Sequence, residues 1–317
     1  MTPFRFSALA LLPCLLSLLA SATRARADSL TDSAVAWWTF EGDLSGIKNV
    51  GTGTGLTAVP VSSAPFSNPV AVDDLTFTAL PAAGETGALA AANAGAKAIQ
   101  LDGATALVAN PPSLKITGAQ TLWLRVNVAN LDAAMTLIGR YRATNSARGM
   151  MLQLQTSGRL AVTISEDGTN DSGKQDYIQT PSGADNVLSV STWYDISLRF
   201  TPAAAGVTNS GSVNIDVFNP LTGNAVNSWS YTTSLTATFT GSNAGYFYLG
   251  AQNNGTSGSN LPVPNGTLIE AAGVWNRALS NAEIASLSAA PIPEPETSVA
   301  ILGALAAANT FAISRRR

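Results

Sequence analysis

Histidine is absent from all 317 residues of this chain, and the single cysteine, Cys14, lies inside an N-terminal apolar run. The first absence removes Ser-His-Asp and Cys-His nucleophilic chemistry, HExxH zinc sites and imidazole-ligated metals in one step. The second leaves the rest of the chain without disulfides or thiolate ligands, so stability rests on a core of ordinary size. Charge is scarce too, at 12% of residues, and it is unevenly spread. Six of the 17 basic side chains (Arg5, Arg24, Arg26 and Arg315 to Arg317) sit near the two ends, whereas all 20 acidic ones fall between Asp28 and Glu296. That stretch carries 11 basic against 20 acidic groups, a balance of −9. Nucleic acid as a partner is excluded on this ground, because its recognition needs a basic footprint.

The two ends are apolar, and the order of their residues differs. Arg5 precedes an apolar run from Phe6 to Ala22, and Ala25-Arg26-Ala27 follows as a small-x-small site. This order predicts a secretory signal peptide over residues 1–27, cut before Asp28, with Ala22 as an alternative cut. The run is short for a membrane span. Cys14 is not preceded by the small residues of a lipoprotein signal and leaves with the peptide. At the other end, residues 291–317 read "PIPEPETSVAILGALAAANTFAISRRR". Thr297 to Ser314 is 18 residues without a charge, at the lower end of what crosses a bilayer, and Asn309 makes it a poor permanent anchor. The three closing arginines favour the cytoplasmic side, which leaves the body outside.

The body, residues 28–290, reads as one all-β domain. Short β-favouring runs recur at 34–40, 98–103, 120–128, 149–155, 159–164, 193–200, 212–218 and 246–251, separated by Gly, Asn and Pro clusters. "SVNIDVF" alternates, with Val213, Ile215 and Val217 on one face and Asn214 and Asp216 on the other. Ser280 and Glu283 form a capping box ahead of Ile284 and Leu287, which predicts a short helix over 280–288. Residues 46–96 have weak periodicity and much Gly, Ala and Thr, and read as a loop-rich insertion with at most brief strands. Antiparallel runs without βαβ alternation predict a two-sheet sandwich.

Several stretches resemble the LamG-like, concanavalin A-type jelly roll: "VAWWTFEGD" (35–43), "IQLDGATALVANPPSLKITGAQTLWLRVNV" (99–128), "TWYDISLRF" (192–200) and, most specifically, "LGAQNNG…NGTLIEAAGVWNRALSNAEIASL" (249–287). The family's strand Asp before the Trp-Asn-Arg turn is replaced here by Glu270, followed by Ala271-Ala272. The resemblance implies an antiparallel jelly roll whose first strand pairs near its last, with Trp37, Trp38, Trp123, Trp193 and Trp275 in core positions. The tail resembles the PEP-CTERM sorting signal of Gram-negative bacteria, through Pro293, Glu294, Pro295, the apolar span 297–314 and Arg315, Arg316 and Arg317. That resemblance implies export past a signal peptidase, transient insertion in the inner membrane, and cutting near Pro-Glu-Pro by an exosortase-type transpeptidase. The body would then pass to the cell surface, the extracellular matrix or the medium.

Candidate chemistry in the body is sparse. Glycosidases on this fold need two carboxylates facing one linkage, and those similar to the laminarinase type carry ExDxxE, a spacing that is missing here. The adjacent pairs Glu166-Asp167 and Asp73-Asp74 point to opposite faces if extended. A lyase relying on Tyr, Arg and Gln stays open. Asp167, Asn170 and Asp171 in "EDGTNDSGKQD" offer hard oxygen donors for a calcium ion, without EF-hand spacing. Among the aromatics outside the expected core (Tyr141, Tyr177, Trp229, Tyr231, Tyr246 and Tyr248), Trp229, Tyr246 and Tyr248 are the choices for sugar stacking. Tyr246 and Tyr248 are two apart and share a face, with Phe247 opposite. Three readings follow: a non-catalytic binder of extracellular polysaccharide or another surface partner, a polysaccharide hydrolase or lyase, and a purely structural matrix protein. The terminal signals predict that intact mass of protein recovered from native envelope or medium lacks Met1–Ala27 and most of the chain after Pro295. A species still ending in Arg317 contradicts the sorting reading.

Overall fold

The computed structural model describes residues 30–40, 44, 48–49, 55–60, 75–80, 96–142, 147–183, 188–220, 222–240, 246–252 and 261–289. The signal segment 1–27, Pro293, Glu294, Pro295, the span 297–314 and Arg315, Arg316 and Arg317 lie outside these residues. Among the described residues no helix is long and apolar enough to cross a membrane.

The strands in chain order are β1 (Ala36–Thr39), β2 (Lys48–Asn49), β3 (Thr57–Pro60), β4 (Thr76–Ala79), β5 (Lys97–Leu101), β6 (Thr105–Ala109), β7 (Gln120–Asn127) and β8 (Met135–Arg142). They continue as β9 (Ala147–Leu154), β10 (Leu160–Ser165), β11 (Gln175–Gln179), β12 (Trp193–Thr201), β13 (Gly211–Phe218), β14 (Ala225–Thr233), β15 (Phe247–Leu249) and β16 (Thr267–Trp275), followed by helix α1 (Asn281–Ala289). A nine-stranded sheet runs β14-β13-β12-β7-β16-β1-β2, with β5 also on β16 and β4 on β5. A seven-stranded sheet runs β11-β10-β9-β8-β15-β6-β3. All these strand pairings are antiparallel, as the all-β reading requires. The first strand does pair with the last, Trp37 opposite Gly273 and Trp38 opposite Ala272.

The stretch 46–96 contributes more than a loop. Its brief strands are structural edges: β2 ends the larger sheet, β4 lines β5, and β3 ends the smaller sheet against β6. Two to four residues are too few to show a period, which is why the pattern is faint in the sequence.

Alternation sorts the strands into an inner and an outer face. Val213, Ile215 and Val217 of β13, Leu122, Leu124 and Val126 of β7, and Leu160, Val162 and Ile164 of β10 fill the space between the sheets. A second cluster lies outside the larger sheet, beneath α1: Trp37, Trp123 and Trp275 with Leu279, Ile284 and Leu287. Trp37 stacks on Trp123 at 5.1 Å and meets Trp275 edge-on at 5.9 Å. Gly273 makes room for this trio, since a Cβ there would fall 2.5 Å from Trp275 and 2.6 Å from Trp37. All five tryptophans expected in the core are buried.

Beside the tryptophans the same outer face carries buried charge. Arg125 Nε and Nη2 donate to Asp195 at 2.6 and 2.9 Å, and Nη1 lies 3.7 Å from Glu270. Arg199 Nε and Nη2 donate to Asp216 at 3.0 and 2.7 Å. The spare guanidinium hydrogens reach the closing segment, Arg199 to the Leu279 carbonyl at 2.9 Å and Arg125 to the Ser288 carbonyl at 3.3 Å. The second contact places a cation at the C-terminal, negative end of α1. Glu270, which stands where the LamG-like pattern has Asp, sits at a register shift in β16, 2% exposed beside Arg125. The predicted capping box is present: Ser280 N–H donates to Glu283 at 2.7 Å and Glu283 N–H to Ser280 Oγ at 3.3 Å.

Three stability outcomes follow. Deleting 276–289 strips two carbonyls from buried guanidinium groups and uncovers the tryptophan trio. The whole domain should then melt well below the intact protein, and an unchanged melt would mark α1 as peripheral. Ser280→Ala should cost about 0.5–2 kcal/mol in urea denaturation. Arg277 and the Ser280 groups pull the Glu283 carboxyl down to about 2 from 4.5. Its contribution is therefore complete above about pH 4.5 and is lost as the pH falls through about 2.

Candidate functional site

A sandwich leaves two open sides where edge strands face one another. On one side these strands are β14 of the larger sheet and β11 of the smaller. β14 reads "AVNSWSYTT", so Ser228, Ser230 and Thr232 face solvent while Asn227, Trp229, Tyr231 and Thr233 turn inward. The inward set spans the gap. Thr233 Oγ1 donates to Asp176 Oδ2 at 2.5 Å, and Tyr231 Oη to the Gln179 carbonyl at 3.2 Å. Just beyond β14, Thr236 donates to Glu166 at 2.7 Å. Burial pushes the Tyr231 phenol up, and the nearby Arg159 opposes the shift.

Trp229 lies one repeat further along the strand from Tyr231, about 7 Å away. Its ring rests on the sandwich core yet stays partly exposed. Arg159, in the turn between β9 and β10, is fixed by donating Nε to the Thr180 carbonyl at 2.5 Å. Gln179 turns its amide outward and donates to Tyr177 Oη at 2.6 Å. Tyr177, 55% exposed, is the most exposed aromatic among the described residues. The open side thus holds the Trp229 and Tyr231 rings with Arg159 near Tyr231, while Tyr177 and the Gln179 amide lie on the outer face of β11 at the same edge. Flat apolar faces beside hydrogen-bonding groups suit a polyhydroxylated ring.

Tyr246 and Tyr248 fall elsewhere. The face expected from their spacing is right, since Phe247 enters the main core while Tyr248 turns to the other side of its sheet. Tyr248 is nevertheless only 1% exposed, covered among Val59, Ala106, Val108 and Ala251, with half-buried Tyr246 packed on the same group. β15 is an inner strand between β8 and β6, which sequence spacing does not reveal. Tyr248 cannot present a stacking face. Tyr177 and Tyr231 stood among the available aromatics, and their edge position is the signal that singles them out. Arg159 carries no sequence signal, being one charged residue in a turn.

Asp167, Asn170 and Asp171 occupy the turn between β10 and β11. Asp167 Oδ1 accepts from Thr169 N–H at 2.9 Å and Thr169 Oγ1 at 2.8 Å, which holds its carboxyl below the usual range. The Asp171 carbonyl accepts from Lys174 N–H at 3.0 Å. Among the described residues no group of three or more carboxylates is assembled as a metal site.

No family model and no curated protein matches the sequence. Solved structures do match. The binding domain of Paraclostridial Mosquitocidal Protein 1 superposes with a TM-score of 0.50 at 14% identity, over 82% of this chain and 52% of that one. Domain 4 of AbnA, a GH43 extracellular arabinanase from Geobacillus stearothermophilus in complex with arabinotriose, gives 0.49 at 18% identity, over 81% and 98%. The CBM40 of a Ruminococcus gnavus IT-sialidase, bound to α2,3 sialyllactose, gives 0.43 at 14% identity, over 61% and 96%. At these identities the likeness is one of fold, a β-sandwich.

Proposed function

We propose that the domain is a non-catalytic carbohydrate-binding module that holds a polysaccharide along the open side between β14 and β11. The observation that carries this reading is Trp229, whose partly exposed ring packs on the sandwich core one strand repeat from Tyr231, the residue that reaches across the gap to Gln179 and lies near Arg159. Stacking on Trp229 and amide or guanidinium hydrogen bonds give a weak site, roughly micromolar to millimolar. The carboxylates near this edge already accept hydrogen bonds, Asp176 from Thr233 and Glu166 from Thr236, which favours binding over acid–base chemistry. The terminal sequences support an exported protein, sorted by an exosortase-type transpeptidase of a Gram-negative bacterium to its surface, matrix or medium. The body would then meet polysaccharide outside the cell.

The test is a broad glycan array with residues 28–290, with and without calcium, followed by retention on a column of the best polysaccharide. Trp229→Ala should weaken retention about tenfold, equivalent to about 1.4 kcal/mol, while cooperative melting persists. Tyr248→Ala should instead lower stability by about 3–5 kcal/mol, as for a large aromatic removed from a packed cluster. Release of reducing ends or unsaturated sugars from any polysaccharide would establish an enzyme. Failure to bind any glycan would favour the structural matrix role.

A further inference from the structure

At one end of the sandwich the two sheets do not quite close. Gln120 of β7 and Val274 of β16 face Arg140 of β8 and Phe247 of β15, and Thr238 and Thr240, from the segment leading out of β14, lie over them. The register puts Arg140 opposite Met150, whose side chain belongs to the interior, so the guanidinium enters this end pocket from the inside. Arg140 is 7% exposed. Its Nε and Nη1 are buried and meet no acceptor among the described residues. Every other buried arginine described here has a carboxylate, Arg125 with Asp195 and Arg199 with Asp216.

A guanidinium in this setting keeps its proton at neutral pH. Burial pulls Arg140 down to about 10, with the nearby Tyr248 phenol opposing the shift, so it remains a cation. An uncompensated buried charge is strongly destabilising, and native folds retain one only where something neutralises it. A water satisfies hydrogen bonds but leaves the charge. Among the described residues that line the pocket none is a carboxylate, and two of the polar groups are tied to one another: Gln120 Nε2 donates to Thr238 Oγ1 at 2.8 Å, and Thr238 Oγ1 donates to the Ile116 carbonyl at 2.8 Å. Gln120 keeps a second amide hydrogen, and Thr240 a hydroxyl. The central space is about 10 Å³, which is about one water. A small spherical anion suits this space better than a carboxylate on a sugar, a sulfate or a phosphate.

We propose that this pocket is a site for a monatomic anion, chloride under ordinary conditions, held by Arg140 with donors from Gln120 and Thr240. The anion neutralises the guanidinium and ties the end of β8 to the start of β7, so it acts as a structural ligand of the sandwich. This site is separate from the open side, and neither stands or falls with the other.

The test uses the mature protein in sodium chloride and sodium gluconate mixtures of constant ionic strength. Gluconate is a bulky organic anion that fits the space poorly. Raising chloride from well below to about 100-fold above its Kd should raise Tm by about 5–10 °C. Arg140→Met, which keeps the bulk and removes the charge, should melt at one temperature in all mixtures. Crystals grown in sodium bromide should show an anomalous scatterer against the Arg140 guanidinium, a readout that holds even if the variant fails to fold. Equal chloride dependence in the two proteins, or no bromide at Arg140, would overturn the proposal.

Discussion

The fold depends on β16 taking the middle of the larger sheet although it is the last strand to be made. It pairs with β7 along one edge, while its other edge is shared by β5 at Thr267–Ile269 and β1 at Ala271–Val274. Neither the first strand nor β7 has its full complement of hydrogen bonds until residues 267–275 arrive. The segment just after β16 then covers the outer tryptophans and supplies carbonyls to Arg125 and Arg199. Contacts between the ends of the chain are thus made late and by many groups at once. A topology so rich in distant pairings folds slowly and as a unit.

That arrangement sets what the two edges far from β16 are free to do. An unpaired strand edge invites pairing with other chains unless it is blunted. Here β14 carries serine and threonine on its outward positions, and β11 is bound to β14 through Thr233–Asp176 and Tyr231–Gln179. The same edge leaves Trp229, Tyr231 and Tyr177 in partial contact with solvent. The binding reading rests on this coincidence of a protected edge with available rings.

The legible parts of the fold were those with a local physical cause. Val213, Ile215 and Val217 alternate because one face of β13 meets the core, and Ser280 with Glu283 marks a helix start by satisfying its free N–H groups. The sequence signals were weaker where pairing decides the outcome. β8, "MTLIGRYR", carries two register shifts that break alternation and bring arginine inward. β14 looks polar because it is an edge, and Tyr248 looks available because spacing does not tell an inner strand from an outer one. Arg159 and Arg140 acquire meaning only from neighbours distant in sequence. Of the stacking residues chosen from sequence, Trp229 alone sits on the open side.

The central claim is that a glycan lies on Trp229. Of the six tryptophans, the other five are at most 4% exposed, so acrylamide can reach the Trp229 indole far more readily than any other. Fluorescence quenching, measured while a bound polysaccharide is titrated, therefore reports this one ring. The account predicts that the quenchable fraction falls as the polysaccharide saturates, and that Trp229→Phe has almost no quenchable fraction to lose. Saturable binding with unchanged quenching would place the glycan elsewhere and contradict the account.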